Sequence, residues 1–453
     1  MNSKTQGIID TNIRFQYIIN ELIDQYAYAD RTQRPWIIGF SGGKDSTVLL
    51  TLVWEALLKL KKLPTPFQLR RPVYVVCNDT LVENPLIAHY THKILNKIEE
   101  EAKNQSLPVY VIRTVPRLED SFWVNTIGRG YPVPNSAFRW CTDKLKIKPT
   151  SRFIEEQVAA DGEAIILLGT RINESANRAR SFKKSEIKGK RLTKHPNQAN
   201  TFIYAPIKFL MLEEIWYLIN SHPSPWKADN SELFQIYTEA SADDYECPTM
   251  VTNKNHTSCG QSRFGCWSCT VVPVDKSMTT LIKNGHTWMK PLLDLHKSMI
   301  EERNKPENRQ KRRRDGSLAV NGMGTYKDSY KKKLLTQLLQ TQKQIQNHAP
   351  EINLISNQEL IAIQTNWYRD LIFDYKVSDI YNQIYNKNQT MNGFDLKQQK
   401  EFDLLKSVCD GSETDFKLIQ ELLILQKNKA LLNRKRGLKD DMERVIEKYL
   451  YAN

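Results

Sequence analysis

Trp36-Ile37-Ile38-Gly39-Phe40-Ser41-Gly42-Gly43-Lys44-Asp45-Ser46-Thr47 contains the transition on which the fold turns. Trp36–Phe40 is a short apolar run of the kind that forms a buried strand. It ends in a serine and two glycines, and from Lys44 to Leu60 the apolar positions recur at helical spacing. Strand, glycine turn and helix in immediate succession form the first half of a βαβ unit. Working outward, Val73–Asn78, Pro108–Thr114 and Ala164–Gly169 are further strand-like runs. Helical segments separate them, one opening at Asn84-Pro85 and another spanning Asp143–Ala160. This alternation predicts an α/β fold with a doubly wound parallel sheet.

The flanking sequence divides the chain further. Residues 1–35 carry Ile18, Ile19, Leu22, Ile23 and Tyr26 at amphipathic spacing and predict one N-terminal helix. Residues 36–240 form the α/β domain, with short helices expected over Met211–Ser221 and Glu232–Glu239. Residues 241–330 are rich in cysteine and basic residues, a cysteine-rich insertion in the fold. Residues 331–453 form a helical C-terminal region, with clear periodicity over Leu334–Ile345 and Asp415–Ala430.

The chain has 453 residues, a formal charge of +14 and seven cysteines. That length buries a core without covalent staples. An odd cysteine count, after a start (MNSKTQGIID) with no apolar signal region, is expected of a protein of the reducing cytoplasm rather than a secreted disulfide scaffold. No apolar run approaches the length of a membrane span. The charge is concentrated. Arg171–Asn200 holds nine basic residues against two acidic, and Glu302–Arg314 holds seven against two. Such segments suit a polyanion, which phosphate contacts hold without sequence readout.

The heptad Ser41–Thr47 carries the chemistry. Gly42 and Gly43 allow tight turning and a close approach of backbone to ligand. Successive N–H groups at a helix N-terminus make an anion nest. Ser41, Ser46 and Thr47 add hydroxyls, Lys44 adds a point charge, and Asp45 is suited to a hard cation such as Mg2+. The spacing does not fit a Walker phosphate loop. Asp79, after the second strand, and Gly169-Thr170-Arg171, Glu174 and Arg178, after the fourth, are expected to meet this loop at one crevice.

Cys247, Cys259, Cys266 and Cys269 cluster downstream. Four thiolates with one pair two residues apart suit tetrahedral zinc or a [4Fe–4S] cluster equally well, and His256 could replace one of them. Cys141 is set apart. Arg139, Lys144 and Lys146 lie near it and Asp143 can begin a helix, surroundings that favour a thiolate. Cys77 falls inside a strand and is expected to be a core thiol; Cys409 has no assigned role.

SGGKDST resembles the PP-loop of the ATP pyrophosphatases, and the segments around Asp79 and Gly169–Arg178 resemble their phosphoadenosine phosphosulfate (PAPS) reductase branch. The resemblance implies an adenine nucleotide alpha hydrolase-like fold that binds ATP through Ser41–Thr47, Asp79, Gly169, Thr170, Arg171, Glu174 and Arg178, and cleaves it between the α- and β-phosphates. With Phe138–Lys146 and Gly265-Cys266-Trp267-Ser268-Cys269-Thr270 added, the chain is similar to the DndC family over roughly residues 35–330. These are the sulfurtransferases of bacterial DNA phosphorothioation, a DNA modification linked to restriction, and SspD is a close relative.

That likeness implies a [4Fe–4S] cluster on the four clustered cysteines, Cys141 as sulfur carrier, and Lys44 and Asp45 in catalysis with Mg2+. It also implies DNA as substrate, a cysteine desulfurase as sulfur donor, and other phosphorothioation proteins as partners. The expected reaction adenylates a backbone phosphate, releases pyrophosphate and inserts sulfur for a non-bridging oxygen. The alternatives are a PAPS or adenylylsulfate reductase, a tRNA thiolase, and a non-catalytic nucleic-acid-binding subunit.

Overall fold

Four short runs of β-branched and aliphatic residues build most of the parallel part of the sheet, three of them at its centre and one at its edge. In the computed structural model these are β1 (Trp36–Gly39), β2 (Val73–Asn78), β3 (Val109–Thr114) and β4 (Ala164–Leu167). The structure describes residues 3–27, 33–63, 68–174, 180, 190–240, 265–314, 317–370, 372, 374–389, 395–430 and 438–450. Two more strands, β5 (Thr193–Lys194) and β6 (Thr201–Tyr204), complete a six-stranded sheet of order β3-β2-β1-β4-β6-β5. All pairings are parallel except β5 on β6, so the doubly wound parallel sheet carries one antiparallel edge strand.

Register is set at the centre. Trp36 pairs with Val73 on one side and Ile165 on the other, and Ile38 with Val75 and Leu167. These residues are buried because both faces of the sheet are covered, as parallel sheets require. On one face α4 (Lys148–Asp161) sets Ile154 against Ile37, Val76, Ala164, Ile166 and Leu168. On the other, α1 (Ser3–Ala27) brings the Tyr26 ring edge-on to Trp36 at 5.2 Å and packs along α2 (Lys44–Lys61). The chain leaves β1 toward β2 and β3, then returns to β4 on β1's opposite side. The gap between β1 and β4 is therefore the topological switch point, where open α/β sheets bind ligands.

The helix expected over Asp143–Ala160 is divided. Thr142–Ile147 is a π-helical turn, and α4 follows it. Pro149 is the cause: it has no N–H for the Leu145 carbonyl, which accepts instead from Asn78 Nδ2 at 2.9 Å. The turn is thereby stapled to the C-terminal end of β2. The remaining helices of this first compact unit (residues 1–116 and 136–287) are α3 (Pro85–Asn104), α5 (Leu212–Ser221), α6 (Asn230–Ala240) and α7 (Lys276–Lys283).

Residues 117–135 and 288–453 form a second compact unit. Its helices are α8 (Lys290–Glu302), α9 (Asp328–Gln346), α10 (Asn357–Arg369), α11 (Val377–Tyr385), α12 (Asp395–Val408), α13 (Glu413–Ala430) and α14 (Leu438–Leu450). The 117–135 excursion is anchored by two indoles: Trp123 Nε1 donates to the Leu354 carbonyl at 2.8 Å, and Trp367 Nε1 to the Ile127 carbonyl at 2.9 Å. Leu334, Leu338, Ile363 and Val377 fill the core beneath them. No helix among the described residues is long and apolar enough to cross a membrane.

Candidate nucleotide site

β1 delivers the glycine loop to the switch point. Gly42 has φ +74°, and a Cβ there would lie 2.7 Å from Thr91 Oγ1 on α3, so both conformation and space demand glycine. Gly43 caps α2 with extended backbone. The serines fold the loop onto itself: Ser46 Oγ donates to the Gly43 carbonyl at 2.9 Å and lies 3.2 Å from Ser41 Oγ. Thr47 Oγ1 and, at the end of β4, Thr170 Oγ1 are buried with no hydrogen-bond partner. Buried hydroxyls left unsatisfied are costly, and an oxyanion would complete them.

The charges gather behind the loop. Lys44 and Arg171 are each only 3% exposed, and Asp45 holds both. Its Oδ2 lies 3.2 Å from Lys44 Nζ, and its Oδ1 accepts from Arg171 Nε. Asp45, expected to hold Mg2+, thus directs its two oxygens to cations. Gly169 allows this approach, since a Cβ there would sit 2.9 Å from the Asp45 carbonyl oxygen. Tyr237 of α6 closes the far side: the Lys44 N–H donates to its hydroxyl at 3.3 Å, and the Lys44 ammonium lies 5.3 Å from its ring centre. Burial lowers the Lys44 pKa from its ordinary value, and Asp45 opposes that shift. Glu174 accepts from the Arg171 N–H at 3.4 Å. Cations fixed in this way present a preorganised positive end to an anion.

Beside the loop lies a cleft of about 100 Å³, lined by Gly39, Ser41, Asp79, Glu83, Thr91 and Lys146 among others. Asp79 Oδ1 accepts from the Leu81 N–H at 2.8 Å, and Leu81 turns with φ +63°. Cys77 also reaches the cleft, but burial first, then Glu83 and Asp79, push its thiol up to about 12. It is the core thiol its strand position implied.

Cys266 and Cys269 dock on the segment after β2. Trp267 N–H donates to the Val82 carbonyl at 3.0 Å, and Cys266 forms an isolated antiparallel bridge with Glu83. Thr80 Oγ1 lies 3.3 Å from Cys266 Sγ and donates to Glu83 at 2.8 Å. The Cys269 N–H to Cys266 carbonyl bond, 3.0 Å, closes the knuckle. Two thiols two residues apart are the soft donors that zinc or an iron–sulfur cluster takes. Among the described residues no three His, Cys, Asp or Glu side chains converge on a metal position. Cys247, Cys259, His256 and Arg178 lie outside the described residues.

Cys141 is half-buried at the start of the π-helical turn, upstream of Lys146. Arg139 beside it has Nε and Nη1 buried without a hydrogen-bond partner, and Asp143 pairs with Lys148 at 3.1 Å. Ser41, Asp79, Gly169 and Arg171 therefore meet at one end of the sheet, while Cys141 stands outside the cleft lining. Tyr237 and Thr91 belong to the site without any sequence signal, because tertiary packing alone brings them there. Thr80 and Glu83 follow Asp79 in the segment after β2, and that closeness in sequence was the available clue.

Residues 35–272 match the family described as the phosphoadenosine phosphosulfate reductase domain. An uncharacterized protein of Methanocaldococcus jannaschii is 29% identical over 150 residues, 33% of this chain. The match spans only 25% of that relative's length. The solved structure of phosphoadenylyl-sulfate reductase from Candida auris, a phosphate complex, aligns with 51% of this chain and 87% of its own, at 13% identity and a TM-score of 0.31.

Proposed function

The chain belongs to the phosphoadenosine phosphosulfate reductase domain family, and from that premise we propose that it is an ATP-dependent sulfurtransferase that places sulfur in the DNA backbone. The family is one of nucleotide-binding enzymes of sulfur transfer or reduction, within the PP-loop ATP pyrophosphatase superfamily. The observation that carries the finer reading is the seat of the cysteine knuckle. Cys266 touches Thr80, and Thr80 bonds Glu83 on the wall of the nucleotide cleft. Thiol chemistry thus abuts nucleotide chemistry in one unit.

A phosphodiester oxygen is a poor leaving group. Attack by a non-bridging DNA oxygen on the α-phosphorus of ATP breaks the α–β bridge and expels pyrophosphate. The Gly42–Gly43 backbone, Lys44, and the Thr47 and Thr170 hydroxyls would hold the departing charge. Asp45 keeps Lys44 and Arg171 oriented, and Asp79 on the cleft wall would hold Mg2+. Sulfur then attacks the DNA phosphorus and AMP leaves with the original oxygen. A Cys141 persulfide charged by a cysteine desulfurase would present that sulfur, and a thiol reductant would cleave the resulting S–S bond. Cys247, Cys259, Cys266 and Cys269 would hold a [4Fe–4S] cluster, a centre of soft sulfur and redox chemistry.

DNA digested from cells with and without the protein, alongside its partner proteins, tests this. Phosphorothioate dinucleotides detected by mass only when the protein is present, and lost in Cys141→Ser, are expected. Their absence from cells carrying the complete system contradicts the reading. Sulfite release from PAPS with a thiol reductant would assign a reductase instead.

A further inference from the structure

The second unit gathers four cations where the 117–135 excursion meets α9 and α10. Arg369 is the last residue of α10, and Asp370 caps that helix. Arg129 follows the π-helical turn Val124–Gly128, which Trp367 of α10 holds through the Ile127 carbonyl. Lys331 lies near the start of α9, and Arg314 closes the basic run. Asp370 is the group they share. Arg314 grips it with two bonds, Nη2 to Oδ1 at 3.1 Å and Nη1 to Oδ2 at 3.4 Å, and its Nη1 also donates to the Arg129 carbonyl at 2.9 Å. Lys331 Nζ and Arg369 Nε each stand 3.9 Å from an Asp370 oxygen, too far for a hydrogen bond. Asp328 takes Lys331 at 2.9 Å. Among the described residues, two carboxylates therefore answer four cations. The C-terminal end of α10 offsets about half a charge more, and a positive surplus remains.

Water does not disperse that surplus fully. The Asp370 side chain is 13% exposed, that of Arg314 22% and that of Arg369 28%. The Arg369 pKa is lowered by burial first and then by Arg314; Asp370 opposes the shift and Arg129 adds to it. Arg369 thus feels two like charges against one carboxylate. Its Nε is buried without a hydrogen bond, and its Nη2 donates to the Asn366 side chain. The Arg129 guanidinium reaches only an amide oxygen, that of Asn125, at 3.4 Å. Each guanidinium has five donors, so these two planar forks are held by neutral groups with donors to spare. Such forks match phosphate oxygens in pairs. The surplus also exceeds the single charge that a carboxylate would bring.

We propose that Arg129 and Arg369 bind a phosphate group, with Arg314 and Asp370 bracing the pair as positioning residues. This site lies in the second unit, apart from the glycine loop, and does not depend on DNA being the substrate. The test is isothermal titration of the 453-residue chain with inorganic phosphate in phosphate-free buffer. A binding component that weakens tenfold or more in Arg129→Gln with Arg369→Gln, and survives in Lys44→Met, is expected. Phosphate should also raise the melting temperature of the parent and raise that of the paired variant less. Arg129→Gln alone leaves the Arg369 bond to Asn366 in place and gives a second reading of the same component, which should again weaken. An undiminished component in these variants overturns the proposal, as does a titration in which Lys44→Met abolishes all phosphate binding. Equal binding of acetate overturns the assignment to phosphate. A short DNA duplex then separates the sources: displacement of phosphate from this component supports a backbone phosphate as occupant, and no displacement supports a free phosphate.

Discussion

In the loop after β1, Lys44 and Arg171 are buried against a carboxylate, Asp45. In the second unit, Arg303 and Arg309 are fixed on backbone carbonyls. Both regions bury cations, but the neutralising groups differ. Carbonyl dipoles saturate a guanidinium's donors and lock a loop, as Arg309 does with the carbonyls of Gly324, Met323 and Arg303. A single carboxylate shared by two cations, beside the unsatisfied hydroxyls of Thr47 and Thr170, leaves a site that an anion completes. Charge density along a sequence is therefore a poor guide to charge available for binding. Of the seven basic residues of 302–314, Arg303, Arg309 and Arg314 are turned to backbone carbonyls, while one lysine and one distant arginine make the candidate nucleotide site.

The sharpest way to break this contrast is at Asp45. Asp45→Ala leaves two buried cations without their shared counter-charge and should cost about 3–5 kcal/mol of stability by denaturant titration. Lys44→Met keeps Asp45 paired with Arg171, so the fold should survive while pyrophosphate release falls about 10²–10³-fold. An Asp45→Ala protein as stable as the parent would deny that the pair is a buried unit. In the second unit the order reverses. Arg309→Met should cost roughly 1–3 kcal/mol for each carbonyl left unsatisfied, whereas Arg313→Ala should change stability by no more than about 0.5 kcal/mol. Equal effects would erase the division between clamp and surface.

The smallest effect is at Glu302. Bonds from Lys305, then Lys333 and Asn308, lower its pKa from 4.5 to about 2. A depressed carboxylate favours the folded state above its ordinary value, and that advantage fades as pH falls from 4.5 toward 2. Acid unfolding of Glu302→Gln should show a shallower loss over that window. An identical profile would show that these bonds do not bias the folded state.

Much of the α/β unit was legible because β1 and β4 at its centre are runs of residues buried on both faces. The loop was legible because it is contiguous and Gly42 answers a local need, a positive φ. What could not be read depends on distance. Tyr237 reaches Lys44 across 193 residues of chain, and no local pattern encodes that. The π-helical turn beside Cys141 follows from Pro149, visible in sequence, but the Asn78 side chain that replaces the lost bond is not. The basic run was legible as charge, yet which arginines turn inward depends on where the carbonyls of Gly324, Pro134 and Arg129 lie.

The 453-residue chain incubated with ATP labelled at the α-phosphate, Mg2+, a DNA duplex and a sulfide donor tests the reaction itself. The site described here predicts labelled AMP and equimolar pyrophosphate, formed only with DNA and lost in Lys44→Met. Labelled ADP as the product, or AMP formation unchanged in Lys44→Met, would contradict it.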